Sequence, residues 1–88
     1  MIRRRVVVHG RVQGVFFRDT VRRMAQSRSV AGWARNRTDG AVEAVFEGEA
    51  EAVESLLRFC RQGPERAAVE RVEELDEQPE GLEGFRIA

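Results

Sequence analysis

The stretch "AGWARNRTDGAVEAVFEG", residues 31–48, decides the fold. Thr38, Asp39 and Gly40 form a turn signal, because Asp and Gly tolerate the positive φ that a tight hairpin demands. After the turn, Val42, Ala44 and Phe46 alternate with Glu43, Val45 and Glu47, the period-two pattern of a half-buried strand. Before it, residues 29–37 also alternate: Ala31 and Trp33 fall on one face, Gly32, Ala34 and Asn36 on the other. Trp33 is expected in the core, beneath the helices.

The flanks of this hairpin fix the topology. Upstream, β-branched Val6, Val7 and Val8 make residues 2–9 a strand. Phe17, Val21, Met24 and Ala25 then recur at helical spacing, giving an amphipathic helix that ends near Arg28. Downstream, Val53, Leu56, Leu57 and Cys60 form the apolar stripe of a second helix, from about Glu49 to Arg61. Glu49 and Glu51 lie at its N-terminal end, where the dipole favours them. "QGPE" (62–65) stops it. Residues 67–75 read as a strand in which Val69 and Val72 break strict alternation and hint at a bulge. "EQPEGLEG" is a polar turn region, and "FRIA" closes as a short strand. The order β-α-β-β-α-β with an added terminal strand predicts an α+β, ferredoxin-like sandwich. Its sheet is expected to be antiparallel, with both helices on one face. Residues 1–88 fit one domain.

A formal charge of zero conceals an uneven chain. Residues 1–42 carry ten Arg against Asp19 and Asp39, a balance of +8, and residues 43–88 carry five Arg against thirteen acids, a balance of −8. All fifteen basic residues are arginine. With no lysine, Schiff-base chemistry, a pyridoxal-phosphate anchor and the Walker lysine are excluded together. The arginine fork suits phosphate or carboxylate, so the basic half points to an anionic partner. No segment is apolar enough for a transmembrane helix. "MIRRRVVVHG" lacks the apolar stretch and cleavage site of a secretory signal, and a single cysteine forms no internal disulfide. A cytoplasmic monomer without membrane contact is expected.

Between the first strand and the first helix lies "GRVQGVFFR", residues 10–18. A loop that receives phosphate must turn several N–H groups inward, which forces some residues to positive φ, and glycine does this cheaply. Gly10 and Gly14 bracket such a loop. The helix adds its free N–H groups and positive dipole end, and Arg18 can lay its fork across the bound anion. A plain connection would use the same residues, with the two phenylalanines anchoring the loop in the core. The Gly-Lys-Ser/Thr ending of a Walker motif is missing.

"GRVQGVFFR" followed by "GWARNRTDGAVEAVFEG" resembles the acylphosphatase family. Its paired signatures are a Gly-Arg-Val-Gln-Gly-Val-x-Phe-Arg loop and a Gly-Trp-Val-x-Asn strand running to Asp-Gly-x-Val-Glu. Both match in order and spacing, and "GPERAAVERV" and "FRI" look similar to the family's later strands. Ala34 stands where valine is usual. The resemblance implies hydrolysis of acyl phosphates, with inorganic phosphate or sulfate as product-like ligand and no metal or cofactor. It implies that Arg18 binds the phosphate together with the N–H groups of Val12, Gln13, Gly14, Val15 and Phe16. It implies that Asn36 positions the attacking water.

Other features have plainer readings. "CRQGPER" (60–66) fits the Cys-x5-Arg signature of cysteine phosphatases, but Pro64 removes an amide such a loop needs and Glu65 would repel phosphate. Cys60 is expected to be a buried structural thiol. His9, the only histidine, has no second His or Cys at ligand spacing and reads as a strand residue near the loop mouth. "RRR" at 3–5 is expected to be a solvated strand edge with some steering effect on anions. The acidic run "VEELDEQPEGLEG" is expected to be solvated surface. The competing function is a ferredoxin-like nucleic-acid-binding module using the arginine-rich half. That module needs exposed aromatics on its sheet, and the phenylalanines here fall where core is expected. A regulatory domain of a longer protein fits less well with a chain taken as complete at 88 residues.

Overall fold

A computed structural model describes all 88 residues. The elements are β1 (Ile2–Arg11), α1 (Phe17–Ser27), β2 (Ala31–Asn36), β3 (Val42–Gly48), α2 (Ala50–Gln62), β4 (Ala68–Glu77) and β5 (Phe85–Ile87). They form a five-stranded sheet in the order β4-β1-β3-β2-β5. The expected βαββαβ core is present, and both helical stripes bury as the spacing demands. Phe17, Val21 and Ala25 of α1 and Val53, Leu56, Leu57 and Cys60 of α2 join one core. From the sheet, Val6, Val8, Ala34, Val42, Ala44 and Phe46 complete it. Phe46 stacks on Phe85 with ring centroids 5.8 Å apart, which ties the terminal strand to the core.

The sheet is mixed, not antiparallel throughout: β5 runs parallel to β2, with Trp33 opposite Arg86. After β4 the chain crosses the end of the sheet from one edge to the other, so β5 starts at the end where β2 starts. Glu47 fixes that crossing. Its carboxylate accepts the amides of Glu80, Gly81 and Leu82 at 2.9, 3.0 and 3.2 Å. The bulge hinted at by Val69 and Val72 lies between His9 and Gly10 of β1, opposite Arg71 and Val69, and leaves Glu70 as the extra residue.

Two readings of the sheet are corrected. Trp33 lies on the face away from the helices, because its cross-strand partner is Val45, whereas Ala34 pairs with Ala44 and shares the core face with Phe46. The Arg5 and Arg35 guanidiniums lie over the Trp33 ring, 5.4 and 5.9 Å from its centroid. The arginines at 3–5 are not on a solvated edge, since β1 sits between β4 and β3. Arg3 is only 5% exposed, bound to Glu47 at 2.7 Å and to Glu77 at 2.8 Å. The acidic run is mostly exposed, as expected, although Glu77 also holds Arg5 at 2.6 Å on this face and Glu74 reaches Arg61 of α2 at 2.8 Å on the helix side. With Glu43 between Arg5 and Arg35, this ionic layer covers one face of β3 while the helices cover Val42, Ala44 and Phe46 on the other, so every residue of β3 is buried.

Candidate active site

The reacting end of the molecule is where β1 runs out and β2 turns into β3. Gly10 and Gly14, paired in the sequence reading, do different work. Gly10 has φ +127, and a Cβ there would lie 2.2 Å from the Ala68 carbonyl oxygen, so it permits the close approach of β1 to β4. Gly14 has φ +74 with nothing within 4 Å of a built Cβ; the loop's turn itself requires it. Phe16 then adopts the left-handed region (φ 63, ψ 24) as the residue capping α1. That conformation is costly for a bulky side chain and throws the ring outward, 70% exposed. Only Phe17 of the two phenylalanines anchors the loop, at 2% exposure.

This backbone path leaves donors free. Among the loop and turn hydrogen bonds, the first amide of the segment to find an acceptor is that of Thr20, which donates to Phe16 O at 3.1 Å. None is donated by residues 13–19. Free amides at a helix start carry partial positive charge and favour an anion.

A cleft of about 270 Å³ opens beside them. Val12, Gly14, Phe16, Phe17, Arg18 and Asp19 line it from the loop and first turn of α1, Asn36 from the end of β2, and Ile87 from β5. Arg18 takes part in none of the ion pairs, and neither Arg18 nor Asn36 has a side-chain hydrogen bond within the protein. Two polar side chains therefore share one cleft with unspent bonding capacity. Asn36 lies at the far side of β3 from β1, opposite Val42, which in turn pairs with Val8.

Of the other residues expected in the phosphate loop, the Gln13 and Val15 side chains do not line the cleft. Gln13 Nε2 instead donates to the carbonyl oxygens of Arg37 at 2.8 Å and Ala41 at 3.0 Å. Val15 packs against the core. His9 sits one residue before the loop but pairs with Glu73 at 2.6 Å, outside the cleft, and this contact holds the Glu73 carboxyl below its usual range. Cys60 is fully buried on α2, and desolvation pushes its thiol up to about 12, so it offers no thiolate near neutrality. No group of three or more His, Cys, Asp or Glu is placed to hold a metal. Asp19 and Ile87 escaped the sequence reading. Asp19 immediately follows a recognised arginine, but Ile87 enters through the parallel register of β5, which nothing local encodes.

Residues 4–87 match the acylphosphatase family. The chain belongs to the acylphosphatase family. It is 56% identical over 85 residues to an acylphosphatase of Rubrobacter xylanophilus, covering 94% of this chain and 76% of that protein. It is 53% identical over 85 residues to one of Haloarcula marismortui, covering 97% and 93%. The crystal structure of acylphosphatase from Bacillus subtilis superposes with a TM-score of 0.95 at 37% identity, covering 100% of this chain and 99% of that one. The nucleic-acid-binding alternative has no counterpart among these acylphosphatase matches. No helix is long and apolar enough to cross a membrane.

Proposed function

We propose that this acylphosphatase cleaves the carboxyl–phosphate bond of acyl phosphates by attack of water on phosphorus. The amides of the 10–18 loop and Arg18 hold the phosphoryl group, and Asn36 orients the water. An acyl phosphate is a mixed anhydride whose leaving group is a carboxylate, the conjugate base of an acid that ionises at about pH 4. That group departs unprotonated, so no general acid is required. The remaining demands are to grip the phosphoryl oxygens, spread their charge and align water opposite the leaving oxygen. A guanidinium fork and preorganised amides meet the first two. A carboxamide oxygen accepting a hydrogen bond from water meets the third without acting as a base.

The observation that carries this reading is the pair Arg18 and Asn36, both unpartnered and facing one cleft beside free amides. The reading needs no metal or covalent intermediate, since the bond broken is already activated. It treats residues 1–88 as one working domain, acting as a cytoplasmic monomer on a small-molecule acyl phosphate, with inorganic phosphate or sulfate as product-like ligand. The test is phosphate release from benzoyl phosphate in the presence of chelator. Wild type should turn over; Asn36→Ala should fold and bind phosphate but hydrolyse very slowly. Parental turnover by Asn36→Ala would remove its role.

A further inference from the structure

We infer that the free charges of this protein form an end-to-end field that draws the anionic substrate to the reacting end, and that Arg66, outside the cleft, is a steering residue for its capture. This rests on the reading that Arg18 and the loop amides hold a phosphoryl group, and concerns the approach that precedes it. The basic and acidic halves of the chain do not survive folding as separate regions, because strands of the two halves alternate in the sheet and their charges cancel across it. Nine of the fifteen arginines and ten of the fifteen acids stand in ion pairs. The six arginines and five acids left over are unevenly placed. At the reacting end stand Arg11 at the close of β1, Arg18 in the cleft, Arg66 in the turn before β4, and Arg58 one turn before the end of α2. Glu65 and Glu70 are the free acids there. The opposite end has the reverse balance: Glu49 and Glu51 open α2 and Glu83 precedes β5, against Arg28 and the Met1 amino group. Arg86 shares a cavity with the Ala88 carboxylate, and these two offset each other.

The paired groups add to the same polarity. On the first turns of α1, one carboxylate, Asp19, is shared by two arginines, Arg22 and Arg23, which leaves positive charge in excess. At the opposite end one arginine, Arg4, is shared by Glu54 and Asp76, which leaves negative charge in excess. A chain of zero net charge is therefore positive where the cleft opens and negative where β1 begins. The molecule measures 30 × 22 × 22 Å, and the Debye length is about 30 Å at 0.01 M salt but about 3 Å at 1 M. An approaching anion feels this field in dilute buffer and almost none of it in strong salt. Arg66 isolates the effect, because it is exposed, unpaired and not part of the cleft lining. Its turn is nevertheless packed against the site: a Cβ built on Gly63 would lie 3.2 Å from the Phe17 ring, and Phe17 lines the cleft.

The experiment measures kcat and kcat/KM for benzoyl phosphate in wild type, Arg66→Gln, Arg66→Glu and Arg28→Gln, at ionic strengths of about 10 mM and about 500 mM. Arg66→Gln and Arg28→Gln change the net charge equally, at opposite ends of the molecule. Ratios to wild type at the same salt cancel competition by the added anion. In dilute buffer Arg66→Gln should lower kcat/KM by about twofold to threefold and Arg66→Glu by about fivefold, with kcat unchanged. Arg28→Gln should leave both parameters at the wild-type value. In strong salt all four proteins should converge, which a merely structural role for Arg66 would not produce. Glu70→Gln, which deletes a free acid at the reacting end, should raise kcat/KM in dilute buffer by about twofold. A deficit in Arg66→Glu that salt does not shrink, or an equal deficit in Arg28→Gln, would overturn the steering field and leave the phosphoryl reading intact. Failure of wild type to hydrolyse benzoyl phosphate at either salt would overturn both.

Discussion

The side-chain amide of Gln13 donates to the main-chain oxygen of Arg37 at 2.8 Å, bridging the phosphate loop to the hairpin that carries Asn36. A second bond from the same nitrogen reaches Ala41 at 3.0 Å. The loop and the hairpin are far apart in sequence, and these two bonds tie them together beyond the end of the β1–β3 ladder at Val8 and Val42. Gln13 is a positioning residue. Gln13→Ala should lower kcat by about tenfold with little change in KM, since misplacing two catalytic parts weakens the transition state more than the ground state. The two lost hydrogen bonds should cost about 1–3 kcal/mol in denaturant unfolding. Gln13→Glu, which turns a carboxylate toward two carbonyl oxygens, should be worse on both measures. If Gln13→Glu kept full activity, the bridge would be irrelevant to catalysis.

Arg18→Lys probes geometry at constant charge. A lysine ammonium is a point charge and cannot span two phosphoryl oxygens as a planar fork does. Arg18→Ala should lower kcat/KM by about a thousandfold, and Arg18→Lys should recover about tenfold of that at most. Steady-state assays with benzoyl phosphate decide the matter, and near-wild-type activity in the lysine variant would show that charge alone suffices.

Glu47 links pH to stability at the opposite end of the molecule. Burial alone would push its carboxyl up, but the Glu80 amide, the Arg3 guanidinium and the Leu82 and Gly81 amides outweigh that and hold it below the usual range. Glu43, where Arg35 and Arg5 outweigh burial, and Glu77, held by Arg5 and Arg3, shift in the same direction. A depressed folded-state value contributes stability that is fully present above the unfolded value, about 4.3, and is lost as pH falls through the folded one. Denaturant melts between pH 7 and pH 3 should show stability declining on the acid side of about pH 4.3. Glu47→Gln should flatten part of that decline and cost roughly 3 kcal/mol at neutral pH, because buried Arg3 loses one of its carboxylates. Its kcat/KM should stay close to wild type, since Glu47 does not line the reacting cleft.

Cys60 should be chemically silent. With its thiol pushed to about 12 by burial, native protein should resist iodoacetamide at pH 7.5 and react only after unfolding, as read by intact mass. Cys60→Ser should destabilise by about 1–3 kcal/mol, from a hydroxyl placed in an apolar stripe, and leave kcat unchanged. Rapid labelling of the folded enzyme with loss of activity would return the Cys-x5-Arg reading to contention.

Much of this architecture is legible in the chain because its signals are local. The Thr38–Gly40 turn and the two helical stripes each lie within a few residues and appear where turn chemistry and periodicity put them, and the paired loop and strand signatures are short enough to carry the family resemblance. What escaped reading depends on pairing at a distance. Trp33 and Ala34 alternate as expected, but which of them faces the helices is set by the β2–β3 register. The arginines at 3–5 look solvated until β1 is found between two strands bearing glutamates in matching register, with Arg3 opposite both Glu47 and Glu77. For the same reason the cleft's loop side was readable and its Ile87 side was not. Phe16 resembled a core residue by type, and only its backbone angle turns it out to solvent.

The path of the last eleven residues has a practical corollary. Because the segment after Glu77 is strapped across the base of the sheet by Glu47, the final strand climbs back toward the reacting end, and the Ala88 amide docks on Ala34 O at 2.8 Å. Met1 sits at that base, beside Glu47 and Leu82. The two chain ends therefore occupy opposite poles, and an affinity handle or fused partner joined ahead of Met1 leaves the substrate entrance clear. The same attachment placed after Ala88 hangs beside Ile87, at the doorway itself.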